Sequence, residues 1–180
     1  MNFNQQRRSV LLGIAGLGIG PAVIEGNARA QAAAPKGYVL GAMEGEHLIQ
    51  RGGSIFIKAA PSTGSAGLAM GTQQVLAGVG IPIHRHFQMD KAFYVIEDRG
   101  TFVLDDAHHP IEKGGSIFIP KNAWHGFENA DRELLLLWIV APPGLEAFFR
   151  EVATRPGTPA TPRTKEQLNE IAHKYGTEFR

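Results

Sequence analysis

Three histidines stand in two short segments whose spacing could build a metal site. His84 and His86 are separated by one residue, and His125 lies in a second, glycine-led segment downstream. Side chains of an extended strand alternate between its two faces, so His84 and His86 share a face. Imidazole is the commonest metal-ligating side chain and suits Zn, Cu, Fe and Ni. The adjacent pair therefore indicates a metal site that needs a third ligand, for which His125 is the candidate.

The segments around these histidines resemble the two motifs of the cupin superfamily. In the first segment Gly78 precedes His84 by five intervening residues, and an aromatic and aliphatic strand follows His86. The second segment matches the family pattern G-x5-P-x-G-x2-H-x3-N through four residues: Gly114, Pro120, His125 and Asn129. Asn122 stands where the pattern has its second glycine. This exchange is mild, because Asn tolerates left-handed backbone angles.

The resemblance implies an all-β fold, a single cupin jelly-roll β-barrel. It covers about Gly78 to Val140, and the next segment, Ala141-Pro-Pro-Gly-Leu-Glu-Ala-Phe-Phe, is similar to the end of small quercetin-dioxygenase-like cupins. Short β-branched and aromatic runs separated by turn residues extend the predicted barrel to 31–143. Within it, Arg51-Gly-Gly is predicted as a tight hairpin turn and 105–110 as another turn. Cupins commonly pair through edge strands, so the resemblance also implies a homodimer.

One position departs from the family pattern in a way that bears on the metal. The family's ligating glutamate follows the second histidine after four intervening residues, and here that position is Lys91, next to Asp90. An ammonium group has three donors and no lone pair, so it cannot bind a metal unless it loses a proton. Three alternatives remain: a site of three histidines alone, a site with Asp90 or Gln88 as a fourth oxygen ligand, and a metal-free pocket in which Lys91 binds an anion.

The residues around Lys91 are the candidates for a substrate pocket. Phe93 and Val95 share its parity along the strand and are predicted to line the pocket together with Gln88. Lys91 itself is the candidate catalytic residue. Burial and a neighbouring cation lower the pKa of a lysine, which makes it a possible base or oxyanion partner.

Composition limits the classes of protein that fit. A chain of 180 residues that is 43% apolar and 19% charged is typical of one globular domain. A net charge of +1 without a long basic block argues against nucleic acid as a partner. The chain has no cysteine, which excludes disulfides, thiolate catalysis and cysteine-ligated zinc.

Residues 1–30 have the layout of a secretory signal peptide. Two arginines at positions 7 and 8 precede an apolar run over 10–24, and Ala28-Arg29-Ala30 is a small-x-small cleavage site. The run is too short and too rich in glycine for a good membrane span, so we expect none in the mature chain. The arginine pair resembles a twin-arginine export signal. We therefore expect an exported protein, either periplasmic or secreted.

After residue 143 the apolar period changes from two to 3.6. An apolar stripe at i, i+3, i+4 and i+7 predicts a helix that packs on the barrel; it comprises Leu145, Phe148, Phe149 and Val152. Thr164 and Gln167 have the spacing of a capping box and predict a second helix, which ends at Gly176. Residues 144–180 are thus predicted to be a C-terminal extension of two α-helices that carries no chemistry.

These features together favour an exported cupin-domain protein with a small-molecule ligand. It would hold one divalent metal ion (Fe, Mn, Ni, Cu or Zn) through His84, His86 and His125. The resemblance to quercetin-dioxygenase-like cupins implies a dioxygenase that acts on an enolisable or phenolic small molecule. The alternative is a non-catalytic cupin that binds a carboxylate or a sugar without metal.

Overall fold

The computed structural model describes residues 36–128 and 131–180. The signal peptide predicted for residues 1–30 lies outside the described residues. Among the helices of the described part of the chain, none is both long enough and apolar enough to cross a membrane.

The described residues contain eleven strands, two α-helices and one short 3-10 helix. The strands are β1 (Glu46–Gln50), β2 (Gly53–Ala59), β3 (Ala69–Val75), β4 (Ile81–His86), β5 (Asp90–Glu97), β6 (Arg99–Leu104), β7 (Ala107–Glu112), β8 (Ser116–Ile119), β9 (His125–Glu128), β10 (Leu134–Ala141) and β11 (Thr177–Phe179). The helices are α1 (Leu145–Val152) and α2 (Lys165–Lys174). The predicted jelly-roll fold with two C-terminal helices is confirmed.

The strands form two antiparallel sheets that share one apolar core. The first sheet has the order β1-β2-β3-β10-β5-β8, and the second has the order β11-β4-β9-β6-β7. Buried residues alternate along β3 and β10, because one face of each strand turns to the core. The largest fully buried side chains include Trp138, Phe102 and Ile55, which come from both sheets.

Left-handed backbone angles in turns and one close contact at a glycine help to shape the barrel. Asn122, in place of a family glycine, has a φ of 70° and so adopts the left-handed conformation. Asp98, in the turn between β5 and β6, has a φ of 65°. Gly71 lies under the indole of Trp138, and a Cβ at this position would come within 2.5 Å of the ring. Only glycine leaves room for the Trp138 ring to pack against the backbone of β3 at this position.

The C-terminal extension differs from the prediction in one respect that matters for the site. Its helices form as expected, and Thr164 and Gln167 make the predicted capping box at the start of α2. However, the chain after Gly176 returns to the barrel as β11, which pairs with β4. The predicted barrel boundary at residue 143 therefore leaves out one strand of the second sheet.

Candidate metal centre

Two adjacent strands of the second sheet, β4 and β9, bring the three histidines together. His84 and His86 lie on β4 with the same side inward, and His84 is directly opposite His125 of β9 in the strand register. The three residues are 0–5% exposed. Their ring centroids are 4.2 to 5.2 Å apart. The alternation that predicted a shared face for His84 and His86 thus holds in the structure.

Hydrogen bonds at Nδ1 orient each ring. Nδ1–H of His84 donates to the carbonyl oxygen of Pro82 at 2.8 Å, and Nδ1–H of His125 donates to that of Ala123 at 3.0 Å. Because a carbonyl only accepts, these bonds keep the proton on Nδ1 and leave the lone pair on Nε2. Nδ1 of His86 is 2.8 Å from the hydroxyl oxygen of Thr177 on β11. The outer nitrogen of every ring therefore has an oxygen partner, as it does in most histidine metal sites.

The inner nitrogens meet the requirements of a metal site. One ring nitrogen of each histidine lies within 4.8 Å of the other two. Nε2 of His86 and Nε2 of His125 are buried and have no hydrogen-bond partner among the described residues. Two nitrogens on one ion, each about 2.1 Å away, are separated by up to about 4.2 Å, so small ring rotations suffice for coordination. The three imidazoles thus fit one divalent cation that prefers nitrogen ligands.

The electrostatic environment keeps these imidazoles neutral, which is the form that binds a metal. Burial holds the pKa of His84 well below its ordinary value, and the charges of His125, Lys91 and His86 act in the same direction. Burial, with the charges of Lys91 and His125, also places the pKa of His86 well below its ordinary value. Burial lowers the pKa of His125 to about 3, and Lys91 adds to this effect. All three rings are therefore unprotonated at neutral pH.

Lys91 reaches the same cavity from the first sheet. It lies on β5, is only 4% exposed, and places its Nζ 4.6 Å from the ring centroid of Phe93. Burial lowers the pKa of Lys91 to about 7. Since Nε2 of His86 and of His125 have no hydrogen-bond partner among the described residues, the amine does not bond to either nitrogen.

A small cavity of about 30 Å³ is lined by Lys91 together with His84 and His86. Its apolar wall consists of four side chains of the C-terminal extension: Leu145, Phe148, Phe149 and Phe179. Gln73 of β3 and Arg51 of the β1–β2 turn complete the polar side. A volume of this size holds about one water molecule, so a larger ligand must extend towards the open side. Exposed Arg51 and Pro82 mark that side.

Three of the residues predicted for the pocket, and the predicted fourth ligand, are not part of this cavity. Asp90 is exposed, and its carboxylate accepts the backbone N–H of Lys121 at 2.9 Å instead of joining the histidine cluster. Gln88 is exposed near Gly176. Phe93 and Val95 point inward, as their parity with Lys91 predicts, but they are buried in the apolar core. Parity identified the inward face and could not tell which part of that face borders the cavity.

Residues of β11, which the sequence did not single out, complete the site. Thr177 is paired with His86 in the register and Phe179 with His84, and the Phe179 ring is 5.3 Å from the His84 ring. The side chain of Asn169 on α2 holds Phe179 through two hydrogen bonds to its backbone. The extension therefore orients one histidine and covers another. A Thr-Glu-Phe strand of three residues carries little signal of its own, so this role was not visible in the sequence.

Comparisons with known proteins agree with this architecture. A sequence model of the cupin domain matches residues 71–140, a range that includes all three histidines. The protein SchB of Streptomyces halstedii is 33% identical over 95 residues, which cover 52% of this chain and 69% of SchB. An uncharacterized protein of Methanocaldococcus jannaschii is 32% identical over 65 residues, which cover 33% of this chain and 52% of that protein. The match thus spans about half the length of the latter relative.

A solved structure shows the same fold. The RmlC-like cupin from Shewanella frigidimarina NCIMB 400 superimposes with a TM-score of 0.53 at 16% identity, and the match covers 63% of this chain and 98% of that one. At this identity the likeness establishes the fold alone. Together, the domain match, the relatives and the two-sheet barrel lead to one conclusion: the chain belongs to the cupin superfamily.

Proposed function

We propose that this cupin is an enzyme that holds one divalent metal ion through His84, His86 and His125 and acts on a small molecule in the adjoining cavity. The observation that carries the proposal is the pair of buried Nε2 atoms, on His86 and His125, that lack a partner among the described residues. Leaving a buried polar atom without a hydrogen-bond partner costs about 1–3 kcal/mol. Two such nitrogen atoms close to each other therefore favour a ligand that binds both. Neutral imidazoles with oriented Nδ1 atoms supply the matching donor set.

The chemistry of the site divides between the ion and Lys91. When bound, the ion supplies Lewis acidity and, if it is redox-active, the electron transfer that reactions of O2 require. Lys91 faces the same cavity, and its pKa of about 7 leaves a large neutral fraction near neutral pH. The neutral amine can take a proton from an enolisable carbon acid, and the protonated form can hold the resulting oxyanion. Phe148 and Phe149 exclude water from this step.

We further propose a dioxygenase reaction on an enolisable or phenolic substrate. The quercetin-dioxygenase-like segment after Val140 supports this reaction type. In such a reaction both atoms of O2 enter the product, so no external reductant is needed. Lys91 at the place of the family's ligating glutamate leaves a three-histidine set, which keeps positions open for substrate and O2.

Metal content and O2 uptake test the proposal. The protein is expressed with Fe, Mn, Ni, Cu and Zn supplied, and the purified chain is examined by elemental analysis and with an oxygen electrode. We expect close to one equivalent of one metal, and O2 uptake with an enolisable compound such as acetylacetone. His125→Gln should abolish both, while His109→Gln, at an exposed position on β7, should change neither. Less than about 0.1 equivalent of any metal would refute the enzyme proposal.

A second candidate is a metal-free module that binds a small anion. Lys91 favours it, because a buried ammonium opposes a cation nearby and attracts an anion. The two candidates give opposite results in the elemental analysis, so one experiment separates them.

Export and dimer formation are also proposals. The N-terminal segment supports export, and replacement of the arginine pair at positions 7 and 8 by lysines should keep a fused reporter in the cytoplasm if the route is the twin-arginine one. A dimer would appear as a doubled mass in light scattering.

A further inference from the structure

The charges around the cavity narrow the class of substrate. Lys91 is 4% exposed, and Arg51 lines the same cavity at its open side. No aspartate or glutamate lines the cavity among the described residues. Within that same part of the chain, neither cation has a carboxylate within 4.0 Å. Buried charges in proteins are normally paired, so the buried, unpaired ammonium of Lys91 requires an explanation, and exposed Arg51 adds a second cation at the open side of the same cavity.

The position of Arg51 supports a role at this cavity. It is the first residue of the two-residue turn between β1 and β2, where Arg51 has a φ of 52° and Gly52 a φ of 80°. Such turns favour Asn, Asp or Gly at the first position, and arginine is uncommon there because its Cβ disfavours a positive φ. The turn nevertheless brings Arg51 to the lining of the cavity at an exposed position, and a guanidinium group can donate two parallel hydrogen bonds to a carboxylate.

The remaining groups suit the rest of a small organic acid. The side chain of Gln73, 8% exposed, lies on the polar side and can donate through its amide. The lining also includes three aromatic side chains: Phe148, Phe149 and Phe179. A ligand with one anionic end and a short apolar body would match both sides.

We propose that the ligand of this site is a small organic carboxylate, whose carboxylate group pairs with Lys91 and Arg51 while its body lies against the phenylalanine wall. This inference deepens the proposed function, because it names the substrate class of the same cavity. It does not depend on a bound ion, since both cations belong to the chain.

Binding of two probes of similar size and opposite charge state tests the inference. Pyruvate is an enolisable carboxylate, and butanedione is its neutral, enolisable counterpart. Binding of each to the metal-free protein, prepared with a chelator, is measured by calorimetry and ligand-observed NMR at neutral pH. We expect pyruvate to bind at least about tenfold more tightly than butanedione, because only the carboxylate pairs with the cations. Circular dichroism establishes that the chelated protein, and each variant named in the next paragraph, is folded.

Three variants locate the binding groups. Arg51→Gln and Lys91→Met should each weaken pyruvate binding by about tenfold or more. Arg132→Gln is the matched control, because Arg132 is half-exposed and faces Asp98 far from the cavity wall. It should leave the affinity unchanged. The inference fails if pyruvate does not bind, if it binds no better than butanedione, or if either cavity variant keeps its affinity within about twofold. Metal content is measured separately on the protein as isolated, before the chelator is added. If that protein carries no metal and the chelated protein binds pyruvate, only the proposed enzyme is refuted.

Discussion

Replacement of Lys91 with methionine should stabilise the metal-free protein at neutral pH and remove part of its dependence on pH. Lys91 is 4% exposed and has no carboxylate partner among the described residues. Methionine has a similar volume and no charge, so it can occupy the same space without desolvating an ammonium group. The increase in the free energy of unfolding equals the cost of burying the charged lysine, or of removing its proton, when wild type folds.

The size of the effect follows from two pKa values. Burial lowers the pKa of Lys91 from 10.5 to about 7 in the folded protein. Between these values the unfolded chain holds a proton that the folded chain has lost, so the free energy of unfolding rises with pH. The window is about 3.5 pH units wide and, at about 1.4 kcal/mol per unit, corresponds to about 5 kcal/mol. Above pH 10.5 the penalty disappears, and below about pH 7 it is constant.

Urea denaturation of wild type and Lys91→Met at pH 7 and pH 10 measures this difference. Comparison of the two proteins cancels the other groups that titrate in the window. We expect the variant to be more stable by several kcal/mol at pH 7 and by much less at pH 10. Lys113→Met, at an exposed position, should match wild type at both values. A stability difference between wild type and Lys91→Met that does not change with pH would refute the argument that Lys91 is buried without a partner.

Three further predictions concern the histidine cluster. Thr177→Val should weaken metal binding by about 10- to 100-fold, because His86 loses the hydroxyl group that orients its ring. Thr177→Ser keeps a hydroxyl group and should bind metal as wild type does. Competition with a chromophoric chelator measures both affinities. Metal-free protein should lose stability as the pH falls from 6.5 to about 3, because His125 takes up a proton in the unfolded chain and not in the folded one. This histidine alone contributes about 5 kcal/mol to the loss, so urea denaturation of His125→Gln should show a smaller loss. Lys91→Glu should raise metal affinity in the same chelator assay, and an unchanged affinity would place Lys91 outside the ligand position.

Sequence patterns correctly predicted the elements whose conformation depends on interactions between residues close in sequence. Alternation placed His84 and His86 on one face, and the turn residues of Arg51-Gly-Gly predicted the hairpin between β1 and β2. Thr164 and Gln167 predicted the start of α2 through their capping bonds. In each case the interaction that determines the structure lies within a few residues, so a pattern can express it.

The features that were missed depend on contacts between distant segments. The polar residues at 105–110 suggested a turn, yet β7 (Ala107–Glu112) forms because β6 offers a free edge for pairing. Thr177 reaches His86 only after the chain has passed through two helices. Asp90 lies next to Lys91 in sequence, but the pleat turns its side chain to the surface, where it accepts the N–H of Lys121. The family pattern could not tell which of Asp90 and Lys91 faces the histidines, whereas the structure shows that Lys91 is buried and Asp90 is exposed.

Anomalous X-ray diffraction can show whether the three imidazoles share one ion inside the barrel. Crystals of the metal-supplied protein are measured at the absorption edge of the metal found by elemental analysis. We expect one strong peak at roughly 2.1 Å from a ring nitrogen of each of His84, His86 and His125. The absence of a peak among these rings, or a metal held only by surface residues, would contradict this expectation.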